Sequence, residues 1–141
     1  PGSTNGQEQN IVDADNDATN LKLFIIELRR QLDALEAETD DDYLISAFLP
    51  ANPKDIEAGN WNDPELFDYL DYGNIQGYDL WGAWESELNG HQANLYDIAN
   101  DPRDADKQYS VDQAVNLYLG AGIDGSQLGI GLAAYGRGWT G

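Results

Sequence analysis

The alternation of helical and strand-like patterns limits this chain to few folds. Three helical segments, identified by apolar spacing or capping residues, each precede an apolar segment of strand length. The helices are predicted at 20–36, at 63–70 and from Ser110 onward, and the strands at 43–49, 72–78 and 128–134. Strands regularly separated by helices pair in parallel, because a parallel connection needs a long crossover. The predicted fold class is α/β, a parallel sheet with crossover helices.

The segments between these elements are polar and are predicted to be loops. They comprise residues 1–16, 52–62 and 90–108. Asp17 or Thr19 is predicted to cap the first helix. Acids alternate between Asp13 and Asp17 as in the opening of a calcium loop, but Ala18 stands where that loop requires Gly. We therefore predict no metal and no cofactor.

Composition restricts the classes of partner. The chain has 141 residues, enough for one domain with a core, and 26 acidic against 7 basic residues give a net charge of −19. Nucleic acid and anionic membranes would be repelled by this charge. There is no Cys, so disulfides and thiolate metal sites are excluded. No apolar run approaches the ~18 residues of a membrane span, and no signal-peptide pattern opens the sequence.

Residues 72–85 are the best candidate for a functional site. Within the predicted strand, Gly73, Ile75 and Gly77 alternate with polar side chains, so one face packs and the other can form hydrogen bonds. Five functional side chains follow or end this strand: Tyr78, Asp79, Trp81, Trp84 and Glu85. Indole faces stack on sugar C–H surfaces and carboxylates accept hydroxyl hydrogen bonds, so carbohydrate suits this mixture. The alternative is a buried strand whose tryptophans fill the core.

Two architectures contain strands and helices in this order, an open doubly wound sheet and an eight-stranded barrel. The open sheet normally has a phosphate-binding Gly-rich turn after a strand, and the sequence has none. Barrel enzymes place their sites at the carboxyl ends of successive strands. Functional-looking residues occupy two such positions, 78–85 and 135–139. The barrel is favoured.

Four stretches resemble family 18 glycoside hydrolases, the chitinases. Residues 74–84, Asn-Ile-Gln-Gly-Tyr-Asp-Leu-Trp-Gly-Ala-Trp, resemble the family's sixth-strand motif, and residues 132–139 its seventh-strand ending. Gly90-His91 with Leu95-Tyr96 is similar to the loop between them, and Pro1-Gly-Ser to the segment beyond the fourth strand. The resemblance covers the chain. It implies an incomplete (β/α)8 TIM barrel, roughly strands five to seven, with 1–16 as the loop after the missing fourth strand and 17–141 as helix-strand repeats.

The resemblance also implies an activity. The intact enzyme would hydrolyse β-1,4-linked N-acetylglucosamine polymers with retention, the substrate's acetamido oxygen acting as nucleophile. Tyr78 would hydrogen-bond the acetamido group, and Asp79 would tune the electrostatics of the general acid. That acid is a Glu at the end of a fourth-strand D-x-x-D-x-D-x-E motif, which would lie just before Pro1 and is absent from residues 1–141. The fragment alone is expected to be inactive.

By the same resemblance, six residues are expected to bind substrate: Gln76, Trp81, Trp84, Glu85, Tyr135 and Arg137. Gln76 replaces the usual Met under the acetamido pocket, and Gly77 replaces a small Ala, Ser or Thr. The expected partners are chitin or chito-oligosaccharides and the missing remainder of the barrel. The family also implies secretion to the extracellular space.

Two other classes of function stay open from the sequence. A catalytically silent, lectin-like relative would bind chitin through Tyr78 and the tryptophans but would lack the acid. The residues that discriminate it from an enzyme precede Pro1. An unrelated α/β binding domain would require both strand-end motifs to match by accident.

Overall fold

The chain forms a three-stranded parallel sheet with helices between the strands. A computed structural model describes residues 2–3 and 10–141. Within them the strands are β1 (Ser46–Leu49), β2 (Tyr72–Gln76) and β3 (Leu128–Gly131), in the order β1-β2-β3. The helices are α1 (Asp17–Thr39), α2 (Pro53–Gly59) and α3 (Val111–Gly120), with 3₁₀ turns at Pro64–Asp68, Ala105–Lys107 and Gly125–Gln127. Both strand pairs are parallel, so the predicted α/β class is confirmed. Of the predicted loop 1–16, residues 1 and 4–9 lie outside the described residues.

The first helix is longer than predicted and is capped differently. It starts at Asp17, and its N-cap is Asn16, whose side chain makes no capping hydrogen bond. The predicted cap by Asp17 or Thr19 is wrong, because both residues already lie in the helix. Asp17 instead accepts a hydrogen bond from the Asp13 N–H. None of the helices in the described part of the chain is both long and apolar enough to cross a membrane.

The predicted loop at 52–62 is wrong over most of its length, because α2 lies within it. Asn52 accepts a hydrogen bond from the Lys54 N–H at 3.0 Å, and Pro53 occupies the first helical position. Asp63-Pro64 shows the same signal and opens a 3₁₀ turn instead of the predicted helix to residue 70. Seven residues make fewer than two helical turns, so α2 shows too little periodicity to be identified by apolar spacing.

The last helix confirms its predicted start. Ser110 accepts a hydrogen bond from the Gln113 N–H at 3.2 Å, as a helix-capping serine does. The predicted apolar stripe is buried at Val111, Ala114 and Tyr118. The Tyr118 hydroxyl donates to the Pro50 carbonyl at 2.7 Å, which ties α3 to the segment after β1.

The two faces of the sheet differ in burial as predicted for β2. Gly73 and Ile75 are buried, whereas Tyr72 and Asn74 are exposed. A β-carbon on Gly73 would collide with the Leu49 side chain, so this position requires glycine for close packing. Ile75 and Leu49 belong to the core that also contains residues of α1 and α3. The opposite face leaves polar and aromatic side chains open.

Candidate functional site

The carboxyl ends of β2 and β3 meet at one edge of the sheet. Gln76, the last residue of β2, pairs in register with Gly131, the last residue of β3. The strands are parallel, so the segments that follow them leave the sheet side by side. The rings of Tyr78 and Tyr135, one from each segment, lie 6.2 Å apart in an edge-on arrangement. The structure therefore brings together the two stretches that the sequence singled out.

An ion pair joins these two segments. The Nε and Nη2 atoms of Arg137 lie 2.8 and 2.6 Å from Oδ1 of Asp79. Hydrogen bonds between charged groups are stronger than neutral ones, and the hydrogen bond with Asp79 raises the pKa of Arg137. Asp79 has a φ of 56°, in the left-handed region that non-glycine residues rarely adopt. Rare backbone conformations of this kind cluster at functional sites.

Tyr135 also contacts Asp79. Burial, together with a hydrogen bond to Asp79, raises the pKa of Tyr135, so its phenol remains neutral near pH 7. A neutral phenol can donate a hydrogen bond to a carboxylate. Asp79 thus binds the charged Arg137 and lies close to the neutral Tyr135 phenol, both of which follow β3.

A buried ion pair anchors the loop after Asp79. The Arg103 guanidinium carbon lies 3.8 Å from the centre of the Trp81 ring, and Nη1 donates to the Leu80 carbonyl at 2.9 Å. Arg103 also pairs with Asp101 at 2.7 Å, and both side chains are almost completely buried. Arg103 holds the pKa of Asp101 below its usual value. This pair fixes the backbone directly after the candidate catalytic residues.

Sequence reasoning missed Arg103 and Asp101. Both lie in the polar segment 90–108, which has no apolar periodicity and was correctly predicted to lack long helices and strands. The one available signal is that Arg103 is among only seven basic residues in the chain. Charged side chains are rarely buried unless they are paired, and nothing in the local sequence pattern marks Arg103 and Asp101 as such a pair.

Trp81 differs from its expected role. We expected its indole to bind sugar, but the side chain is 2% exposed and its face is covered by Arg103. The indole N–H donates to the Leu88 carbonyl at 2.8 Å. A β-carbon on Gly90 would collide with the same ring. No face of the Trp81 ring is open to a ligand. The structure therefore fits the alternative interpretation, in which this tryptophan fills the core.

Trp84 and Glu85 lie at the rim of the same edge. Trp84 is 59% exposed, and Arg137 lies 5.2 Å from its ring. The Glu85 carboxylate pairs with Lys107 at 2.8 Å, and its backbone carbonyl accepts from the Trp139 indole N–H at 3.0 Å. Trp84 therefore offers an open aromatic face, whereas the Glu85 side chain already has a cationic partner.

The remaining polar groups form no evident cation site. His91, the single histidine of the sequence, is exposed in the loop after Gly90. In residues 2–3 and 10–141, His, Asp and Glu side chains form no group of three or more that could hold a metal ion.

Comparison with known proteins identifies the family. The sequence model of glycosyl hydrolases family 18 matches residues 2–141. The chain belongs to this family. It is 58% identical to the catalytic domain of the psychrophilic chitinase B from Arthrobacter TAD20, with a TM-score of 0.97 over the whole chain. The predicted family resemblance is thereby confirmed, and the fold matches that of a family 18 catalytic domain.

Two curated relatives agree with this assignment. The chain is 33% identical to chitinase A of Pseudoalteromonas piscicida over 100% of its length, and 33% identical to a chitinase of Autographa californica nuclear polyhedrosis virus over 96%. The matches cover 18% and 24% of those two proteins. In the Arthrobacter structure the match covers 32% of the solved chain. The chain thus spans about a third or less of the relatives that it matches.

Proposed function

We propose that this chain is the part of a chitinase barrel that spans roughly strands five to seven. The complete protein, called the parent protein below, would hydrolyse β-1,4-linked N-acetylglucosamine polymers outside the cell. The family match supports the reaction class. The observation that carries the proposal within the structure is the joining of Tyr78, Asp79, Tyr135 and Arg137 at one edge of the sheet.

The proposed reaction is substrate-assisted and retains the anomeric configuration. The acetamido oxygen attacks the anomeric carbon while a general acid protonates the leaving oxygen, and water then opens the oxazolinium-like intermediate. Tyr78 would donate a hydrogen bond to the acetamido group as it gains charge. Asp79 would hold that group through its second carboxylate oxygen, because Oδ1 is already bound by Arg137.

The exposed rings around this edge fit a sugar chain. Trp84 and Tyr135 are 59% and 49% exposed, and Arg137 lies within 6 Å of both ring centres. Aromatic faces stack on sugar C–H surfaces, and a guanidinium donates to hydroxyl groups. Gln76 would form part of the subsite floor from the end of β2. Glu85 would contact sugar only if it exchanged its bond with Lys107.

The role of Tyr78 can be tested in the parent protein with a fluorogenic chitobioside. We expect Tyr78→Phe to lower kcat more than it raises KM, because the phenol's hydrogen bond strengthens in the transition state. Tyr43→Phe is the matched control. The Tyr43 hydroxyl lies 3.2 Å from Thr39 Oγ1, in the segment that precedes β1 and therefore away from the carboxyl ends of the strands. A Tyr78→Phe protein with unchanged kcat and a raised KM would show that the phenol only binds substrate.

The same assay tests the reaction class. A parent protein that binds chito-oligosaccharides without hydrolysing them would be a silent, lectin-like relative, and the enzymatic proposal would fail. We further propose that residues 1–141 alone are inactive, because they contain no D-x-x-D-x-D-x-E motif. General acid catalysis typically contributes about 10²- to 10⁴-fold. Chitobioside turnover by the purified 141-residue chain would contradict this expectation.

A further inference from the structure

Gln92 makes one hydrogen bond to each of the segments that carry the candidate site. Its backbone carbonyl accepts from the Leu80 N–H at 2.8 Å, and Leu80 directly follows Asp79. Its side-chain Nε2 donates to the Tyr135 carbonyl at 2.7 Å, two residues before Arg137. Gln92, from the loop between these segments, therefore joins the backbone after β2 to the backbone after β3, close to the Asp79–Arg137 ion pair.

The segment after β3 depends on such polar links. Leu132 is 84% exposed and Tyr135 is 49% exposed, so little apolar burial fixes the backbone here. Besides the ring contacts of Tyr135 with Tyr78 and of Arg137 with Trp84, its polar links are those of Gln92, of Asp79, and of Trp139 with the Glu85 carbonyl. Among these links only the Gln92 bond is accepted by a backbone atom of this segment, because Arg137 and Trp139 bind through their side chains.

The Gln92 side chain makes one hydrogen bond to the described residues, the one to the Tyr135 carbonyl. Its Oε1 atom is buried and has no hydrogen-bond partner among the described residues. Among the described residues the side chain therefore acts on the segment after β3 alone.

We propose that Gln92 is a positioning residue that sets the separation between Asp79 and its partners, Tyr135 and Arg137. By fixing the Tyr135 backbone against the backbone after Asp79, it holds the two halves of the sugar-binding edge in register. This inference rests on the proposed function for its catalytic consequence, but the positioning itself is a geometric property.

The test uses Gln92→Met in the parent protein, which keeps the length of the side chain and removes the donor. Gln127→Met is the matched control, because the Gln127 amide also donates to backbone carbonyls, those of Phe67 and Leu70, at 3.0 and 3.2 Å. That glutamine lies before β3, away from the carboxyl ends of the strands. Gln92→Met loses one amide–carbonyl contact and Gln127→Met loses two, so the control removes at least as much hydrogen bonding.

We expect Gln92→Met to lower kcat on chitobioside by about 10- to 100-fold, since a misplacement of about 1 Å can cost 10²-fold. Gln127→Met should keep kcat near the wild-type value although it loses at least as much melting temperature as Gln92→Met. If Gln92→Met does not fold, Gln92→Glu serves instead, compared with Gln127→Glu. Its side chain has the same shape, and when ionised it cannot donate to the Tyr135 carbonyl.

Crystal structures of the same variants give a readout that does not depend on activity. We expect the bonds from Asp79 Oδ1 to Arg137, 2.6 and 2.8 Å in this structure, to be lost or lengthened in the Gln92 variants only. If the wild-type parent protein hydrolyses no chito-oligosaccharide, the proposed function fails, yet these distances still decide the positioning role. The positioning role would be overturned if the Gln92 variants kept the wild-type kcat and these distances. It would equally be overturned if they changed no more than the Gln127 variants.

Discussion

The two halves of the candidate site are held in place by different forces. The half that follows β2 continues into the buried residues Leu80 and Trp81, which are 2% exposed and rest against Arg103. The half that follows β3 is an exposed segment, residues 132–141, tied to the rest of the chain through polar contacts. Core packing around a buried ion pair positions one half, and hydrogen bonds of an exposed segment position the other.

This difference determines how each half should respond to mutation. Removing a group from a buried, packed loop disturbs the folding of the whole unit. Removing a polar link from an exposed segment lowers only the local free energy of opening, because few other contacts are lost with it. Mutations near Arg103 should therefore act on global stability, and mutations near Trp139 on local order.

The largest expected effect is that of Arg103→Met. It leaves the Asp101 carboxylate buried without its partner, and breaking one side of a buried pair costs about 3–5 kcal/mol. The measurement is the free energy of unfolding of the parent protein in urea. Lys54→Met is the control, because it removes an exposed ion pair with Asp106 and should change little. Equal losses in the two variants would mean that the loop after β2 does not depend on the buried pair.

Acid should weaken the same loop. The folded-state pKa of Asp101 lies below its unfolded value of about 3.9, so its contribution to stability is present above pH ~3.9 and is lost as the pH falls further. The Asp101→Asn variant has no carboxylate at this position, so it cannot lose this contribution to stability in acid. The stability difference between wild type and Asp101→Asn should be constant above about pH 5 and shrink below about pH 4. Urea midpoints measured across that range check this, and a difference that grew on acidification would contradict it.

Local signals in the sequence predicted the order of elements and the two faces of β2. The alternation around Ile75 and the Ser110 cap depend on neighbours within a few residues, so they can be read from the sequence. The α2 helix was missed because it is too short to show a period. The family resemblance correctly marked both stretches that meet at the sheet edge.

Contacts between distant segments could not be predicted. The Asp79–Arg137 pair joins residues 58 apart in sequence, and it depends on the register that aligns Gln76 with Gly131. Gln92 lies in a loop without periodicity, and its two hydrogen bonds depend on the path of that loop. The burial of Trp81 likewise depends on the position of Arg103. The residue types around Trp81 suggested a ligand surface, but Arg103 covers the ring in the structure.

A smaller effect is expected for Trp139→Phe in the β3 half. The substitution keeps an aromatic ring but removes the indole donation to the Glu85 carbonyl, which should contribute about 0.5–1.5 kcal/mol. Amide hydrogen exchange should accelerate within residues 132–141 and change little elsewhere. Trp61→Phe is the control, because that ring packs against the core and should alter exchange globally. Uniform acceleration in Trp139→Phe would remove the distinction between the two halves.

The smallest effect is expected for Lys107→Gln, which tests whether the Glu85 carboxylate or the Glu85 carbonyl holds residues 132–141 in place. The Lys107 side chain is 48% exposed and pairs with the Glu85 carboxylate, whereas Trp139 binds the Glu85 carbonyl. Exposed ion pairs contribute little and are screened when salt shortens the Debye length to about 3 Å near 1 M. Exchange in residues 132–141 should change less than in Trp139→Phe, and any difference from wild type should disappear in about 1 M NaCl. A larger, salt-resistant acceleration would mean that the Glu85 carboxylate positions this segment, and that its release for sugar binding would loosen the rim.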